Sequence, residues 1–86
     1  MSNVQIYTTA NCAYCLAAKM LLKQRGFDYE EVRVDTDPAR RDEMVARTNK
    51  RTVPQVIIDG KVIGGYEELA SAARNGELQR GTGDAA

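Results

Sequence analysis

Eighty-six residues suffice for one compact domain and not for two, and a chain this short buries only about 60–65% of its unfolded surface, so its core is small. Hydrophobic residues make up 43% and charged residues 28%, with 12 basic against 12 acidic side chains. That balance is ordinary for a globular protein and gives no reason to expect nucleic acid or an anionic membrane as a partner. No apolar run approaches the roughly 20 residues of a membrane-spanning helix, and Met1 to Gln5 lacks the charged-then-apolar pattern of a secretory leader. A cytoplasmic protein is the expectation.

In chain order, Val4, Ile6 and Tyr7 form a short apolar run that suits a buried strand. The polar stretch Thr8 to Asn11 separates it from a helical pattern running from Ala13 to Arg25. There Leu16, Ala17, Met20 and Leu21 recur at three- and four-residue spacing, which predicts the inward face, and Lys19, Lys23 and Gln24 fall on the other side. Gly26 is placed to end this helix in a left-handed conformation. Tyr29 to Val34 reads as a second strand. Asp37 and Pro38 then supply an N-cap and a first helical residue for a second helix, which carries Met44 and Val45 and fades near Asn49.

Pro54 introduces the apolar run Val56, Ile57 and Ile58, and Asp59-Gly60 is a favoured two-residue hairpin turn leading to Val62 and Ile63. Gly64-Gly65 breaks that strand. The last helix is predicted from Tyr66 to Arg74, with Tyr66, Leu69, Ala70 and Ala73 on one face and Gly76 as its end. Residues 1–80 are expected to form the domain, and the small, polar residues 81–86 a disordered tail. Strand–helix–strand implies a parallel pair with a right-handed crossover, and the hairpin adds an antiparallel pair. The fold class is α/β: a four-stranded mixed sheet flanked by three helices.

The chemistry concentrates in Cys12-Ala13-Tyr14-Cys15, where the first strand ends and the first helix begins. These are the only cysteines, and the chain has no histidine. Two thiols three positions apart are no disulfide framework, and they cannot fill a four-coordinate zinc site. The absence of histidine removes Cys–His and Ser–His catalysis and every imidazole metal site. Cys12 falls at the helix N-terminus, where unpaired N–H groups and the macrodipole favour an anion, and the thiolate is the nucleophilic form of cysteine. Cys15, one turn on, is less exposed, which makes it the resolving thiol. The bland alternative is a pair of inert cysteines packed at a helix start. The strand-then-helix context favours a redox pair.

Four segments at these spacings resemble the glutaredoxins, specifically the short bacterial dithiol class: Ile6-Tyr7-Thr8, Cys12-Ala13-Tyr14-Cys15, Thr52-Val53-Pro54-Gln55 and Gly64-Gly65-Tyr66-Glu67-Glu68-Leu69. The resemblance spans Val4 to about Leu78. It implies a thioredoxin-like fold and a glutathione-dependent thiol–disulfide oxidoreductase that reduces protein disulfides and glutathione mixed disulfides. It implies a cis Val53–Pro54 bond beside the cysteines, where sequence alone favours trans. It places the γ-glutamyl carboxylate of glutathione near the helix start after Gly65, around Tyr66 and Glu67, with Glu67 also able to take the ligand's amino group. The alternative for Glu67 and Glu68 is that they complement the helix dipole. Arg41 matches a family residue that contacts the glycine carboxylate, Thr52, Val53 and Pro54 flank the ligand, and Tyr14 lies beside it. Tyr7 reads as core. The partners implied are glutathione and disulfide-bonded or glutathionylated proteins, with ribonucleotide reductase a family-level candidate, met by a monomer.

The chain departs from the family pattern at three points. Ala13 stands where proline is usual, Thr9 where many members carry a lysine that attracts glutathione, and Tyr66 where close relatives often have cysteine. Lys50 and Arg51 offer some replacement charge. The alternatives to the oxidoreductase are a glutaredoxin whose Cys12 helps to hold a [2Fe–2S] cluster between two monomers, with which Ala13 is compatible but against which Cys15 and the dithiol features stand, and a redoxin fed by thioredoxin reductase, which the loss of a lysine at Thr9 weakly favours and the positions Arg41, Thr52, Val53 and Gly64-Gly65 oppose.

Overall fold

A computed structural model of the chain describes residues 3–76 and residue 78; the predicted tail 81–86 and the predicted domain boundary at 80 lie outside the described residues. The first strand, β1 (Val4–Thr8), is the axis of the fold. It pairs in parallel with β2 (Glu30–Arg33), from Gln5 opposite Glu30 to Thr8 opposite Arg33. On its other edge it pairs antiparallel with β3 (Gln55–Ile58), which in turn pairs antiparallel with β4 (Lys61–Gly64). The sheet order is β2-β1-β3-β4. This is the four-stranded mixed sheet that the sequence predicts.

Strand alternation sorts the apolar residues onto two faces. Val4, Ile6 and Val56 face a cluster with Phe27, with Ala18 and Leu22 of α1 (Ala13–Gln24), and with Leu69 of α3 (Tyr66–Arg74). Tyr7 and Ile57 point the opposite way, with Val32 and Val34, onto Met44 of α2 (Pro38–Thr48). The sheet is therefore sandwiched, with α1 and α3 on one side and α2 on the other. Tyr7 is fully buried, as its reading as core requires. Its hydroxyl donates to Glu43 and accepts from Arg47 at 2.9 Å, so the one polar atom it carries inward is satisfied.

The connections follow local chemistry. Asp37 caps α2 by accepting the Ala39 N–H at 3.0 Å, with Pro38 behind it. Asn49 closes the same helix at φ 61°. Asp59 and Gly60 both take positive φ, 52° and 82°, as a type I′ hairpin demands. Asp59 then ties the turn to the start of β1: its carboxylate accepts the Asn3 N–H at 2.7 Å and its own N–H donates to the Asn3 carbonyl at 2.8 Å.

The predicted inward face of α1 is corrected. Leu16 and Met20 are 57% and 55% exposed, while Cys15, Ala18 and Leu22 make the buried stripe. Apolar residues occupy two adjacent stripes of this helix, so periodicity alone does not choose between them. Lys19, predicted on the outer side, instead leans against β2 and pairs with Glu31 at 2.9 Å. That contact and the burial of Cys15 set the roll of the helix. On α3, Ala72 is buried in place of Ala70, beside Leu69 and Ala73. The second strand is shorter than Tyr29 to Val34, although the Val34 N–H still donates to the Thr8 carbonyl at 2.9 Å.

The two stripes of α1 have different energetic weight. Leu22→Ala is expected to cost about 2–5 kcal/mol through lost transfer energy and a residual cavity, and Leu16→Ala about 0.5 kcal/mol or less. Urea denaturation of the two variants distinguishes this arrangement from the one that periodicity suggests.

Candidate active site

Both cysteines stand where α1 leaves the sheet, and the backbone makes them different. Cys12 is the N-cap, extended at φ −125° and ψ 108°. Its carbonyl accepts the Leu16 N–H at 3.1 Å, and its sulfur accepts the Cys15 N–H, also at 3.1 Å. The side chain that caps the helix is thus the sulfur itself, doing what a Ser or Asp oxygen does elsewhere. No acidic residue sits in the first turn to compete with a negative sulfur. Cys12 is part-exposed, while Cys15 is 1% exposed. Burial, reinforced by the hydrogen bond with Cys12, pushes the Cys15 thiol up to about 12, against weaker opposing effects of the Thr9 backbone and the Lys19 charge. Cys15 is therefore the thiol of the pair that burial holds toward its protonated form.

Asp35 holds the loop that delivers Cys12. Its carboxylate accepts the Ala10 N–H at 3.0 Å and two hydrogen bonds from the Arg33 guanidinium, at 2.8 and 2.7 Å. The paired Arg33 holds the Asp35 carboxyl well below the usual carboxylate range. Nothing in the sequence pattern marks Asp35: it follows a strand, two residues after an arginine, and its work is done through the fold.

Across from Cys12 runs the segment before β3. The Val53–Pro54 bond is cis, as the resemblance implies. The Val53 carbonyl lies 3.9 Å from the Cys12 sulfur, close enough to accept from the thiol. A cavity of about 240 Å³ opens beside it, lined by Tyr14, Thr52, Val53, Pro54, Gly65, Tyr66, Glu67 and Glu68. The Tyr14 and Tyr66 rings stand next to each other in its wall, centroids 6.0 Å apart and tilted by 36°. Gly65 is part of the wall because of its size: a Cβ there would stand 3.3 Å from Glu68 Oε1 and 3.4 Å from the Pro54 carbonyl oxygen.

The structure thus brings Tyr14, Thr52, Val53, Pro54, Gly65, Tyr66 and Glu67 to one cavity, with the Cys12 sulfur 3.9 Å from the carbonyl of Val53 in its wall. It separates the roles of the two acids. Glu68 reaches back to accept the Gly65 N–H at 2.9 Å, the acidic half of a capping box, while Glu67 is exposed and makes no such bond. The spacing Gly65-x-x-Glu68 is the signal for this. Arg41 stands outside the cavity wall. It is half-buried on α2, and its guanidinium donates to the Arg51 carbonyl at 3.4 Å, next to Thr52.

The Asp35 contact makes a pH prediction. A carboxyl depressed in the folded state stabilises the fold above its ordinary pKa of about 3.9. That contribution is lost as pH falls below this value toward the folded pKa. Asp35→Asn is therefore expected to melt below the parent protein at pH 7, with the difference shrinking as pH falls below about 4, as followed by circular dichroism.

Comparison with known proteins places this geometry. The glutaredoxin family profile matches residues 4–63. Glutaredoxin 3 of Escherichia coli strain K12 is 46% identical over 78 residues, covering 91% of this chain and 94% of that protein. A glutaredoxin of Pseudomonas aeruginosa is 41% identical over 91% of this chain and 93% of its own length. Among solved structures, a buckwheat glutaredoxin–glutathione complex superposes with a TM-score of 0.81 at 31% identity, covering 90% of this chain and 73% of that one. A Brucella melitensis glutaredoxin gives 0.77 at 32% identity, covering 93% and 90%. The thioredoxin-like sheet, the capped Cys12 and the extent of these matches show that the chain belongs to the glutaredoxin family.

Proposed function

We propose that the chain is a dithiol oxidoreductase that takes its electrons from glutathione, with Cys12 as the attacking and Cys15 as the resolving sulfur. The observation that carries this is the asymmetry of the pair: Cys12 is part-exposed and caps a helix, and Cys15 is a buried neutral thiol one turn away. Only the first can meet a substrate sulfur in line, and only the second is held in reserve within reach of the first.

In the first step Cys12 thiolate attacks the glutathionyl sulfur of a mixed disulfide. The Cys12–glutathione bond forms, and the other sulfur leaves as a thiolate that takes up a proton. A second glutathione thiolate then attacks the glutathionyl sulfur, releasing glutathione disulfide and restoring Cys12. For a protein disulfide, Cys12 first forms a mixed disulfide with one substrate sulfur while the other leaves as a thiolate. Cys15 then attacks the Cys12 sulfur, the Cys12–Cys15 bond forms as the Cys12–substrate bond breaks, and the substrate leaves as a dithiol. Two glutathiones then reduce the Cys12–Cys15 disulfide and are released as glutathione disulfide. The rates follow the thiolate fraction of the attacker and the pKa of the leaving thiol.

The cavity supports a glutathione pose. The N–H groups at the start of α3, around Tyr66 and Glu67, take the γ-glutamyl carboxylate, and Glu67 takes the amino group. The Thr52 and Val53 backbone runs beside the cysteinyl part, Pro54 and Gly65 form the floor, and Tyr14 and Tyr66 flank it. Arg41 serves the glycine carboxylate from α2, with Lys50 and Arg51 adding positive charge where the chain has Thr9. Protein disulfides are the wider substrate class, ribonucleotide reductase among them, and the protein acts as a cytoplasmic monomer. The glutaredoxin relatives favour neither the cluster-bridged dimer nor the thioredoxin-reductase-fed redoxin.

Reduction of a small glutathione mixed disulfide, coupled to glutathione and glutathione reductase, tests the assignment. Cys12→Ser is expected to abolish turnover, and Cys15→Ser to retain it on this substrate while losing activity toward protein disulfides. A dead Cys15→Ser and an active Cys12→Ser would reverse the roles. Turnover with thioredoxin reductase alone would replace glutathione as the electron source.

A further inference from the structure

Cys15 must become an anion late in the reaction, yet it is the thiol that the fold keeps driest, at 1% exposure. The groups that act on it are the sulfur of Cys12, the N-cap of α1, which accepts the Cys15 N–H at 3.1 Å, the Thr9 backbone just past β1, and Lys19 of α1. Lys19 follows Cys15 by one helical turn, on the same side of α1. Its ammonium is held rather than free. Nζ lies 2.9 Å from Glu31 Oε2 on β2, and that same oxygen accepts a 2.7 Å hydrogen bond from Thr8 Oγ1, whose residue is fully buried. One carboxylate oxygen thus joins β1, β2 and α1 beside the resolving cysteine. The Thr8 hydroxyl and the Lys19 ammonium keep the Glu31 carboxyl below its ordinary range, so the pair stays charged. The Lys19 charge favours the Cys15 thiolate, against the larger opposing effects of burial and of the Cys12 hydrogen bond.

We propose that Lys19, held in place by Glu31 and Thr8, is a positioning residue for the resolving step: it keeps a positive charge one turn from Cys15 and so sets how often Cys15, rather than a second glutathione, discharges the mixed disulfide. The proposal rests on the dithiol reading above. In the step concerned, Cys15 gives up its proton and its thiolate attacks the Cys12 sulfur. The Cys12–Cys15 bond forms as the Cys12–glutathione bond breaks, and glutathione leaves as a thiolate that takes up a proton. The two protein thiols are oxidised, and glutathione disulfide has been reduced to two glutathiones. The Lys19 charge helps only the new anion on Cys15. A pair that merely fastened α1 to β2 would serve both steps alike.

The test mixes the reduced full-length protein with one equivalent of glutathione disulfide, quenches with acid over time, and resolves glutathionylated from internally disulfide-bonded chains by mass. The first phase reads attack by Cys12, and the second reads attack by Cys15. Lys19→Met is expected to slow the second phase about fivefold or more relative to the first, the scale of one charge a turn away in a partly wet site. Lys19→Arg should restore it. Glu31→Gln, which removes the contact that holds the ammonium in place, should also slow the second phase relative to the first, by less than Lys19→Met does. Slowing of both phases together by Lys19→Met, an unchanged second phase in that variant, or failure of Lys19→Arg to restore it would overturn the proposal and leave the pair a structural fastener. Absence of any first phase in the parent protein would instead overturn the dithiol reading itself, and this inference with it.

Discussion

The hydrogen bond from the Cys15 N–H to the Cys12 sulfur is the contact on which the site depends. It makes the first turn of α1 and the reactive group a single object. The orphan N–H groups of a helix start need an acceptor, and here the acceptor is the atom that must carry negative charge to do chemistry. Everything around it serves to hold that turn at the end of β1. The strand is buried on both faces, so its end is fixed in space. Asp35 accepts the Ala10 N–H and so ties the loop before Cys12 to the end of β2. The Val53 carbonyl and the cavity beyond it stand opposite because β3 pairs directly with β1.

The two cysteines differ because α1 packs with a particular roll. A helix that buries Cys15, Ala18 and Leu22 turns the sulfur of Cys15 inward and leaves Cys12 part-exposed, opposite the Val53 carbonyl. Identical side chains three residues apart thereby become a nucleophile and a reserve. Burial is what separates them, and it acts on Cys15 in the direction expected for any group that must ionise away from water. The same roll brings Lys19 against Glu31 and turns Leu16 and Met20 toward solvent.

Much of this was legible in the residues themselves. The elements, the parallel and antiparallel pairs, the Asp37 cap and the Asp59-Gly60 turn all rest on local rules, and local rules suffice for them. The family resemblance carried what local rules do not: the cis bond before Pro54 and the grouping of Thr52 with Tyr66 across the chain. Neither source reached the roll of α1, because Leu16, Ala17, Ala18, Met20, Leu21 and Leu22 offer two apolar stripes and only the neighbouring strand decides between them. Asp35 and Glu31 were silent for a related reason. An acid in or after an exposed-looking strand has no signature until the fold shows which N–H, hydroxyl or ammonium it meets. Glu68 is intermediate: its spacing from Gly65 announces a cap, but a glycine at the first position hides the motif.

The sulfur cap also has a thermodynamic meaning. A disulfide sulfur is a far poorer acceptor than a thiolate, so α1 is better terminated when Cys12 is reduced than when it is bonded to another sulfur. Whatever free energy the helix gains from the anion must reappear, with opposite sign, in the equilibrium between disulfide and dithiol, and it tilts the couple toward a more oxidising potential. The strength of one helix start and the willingness of the protein to accept electrons are thus the same quantity, read on two different scales.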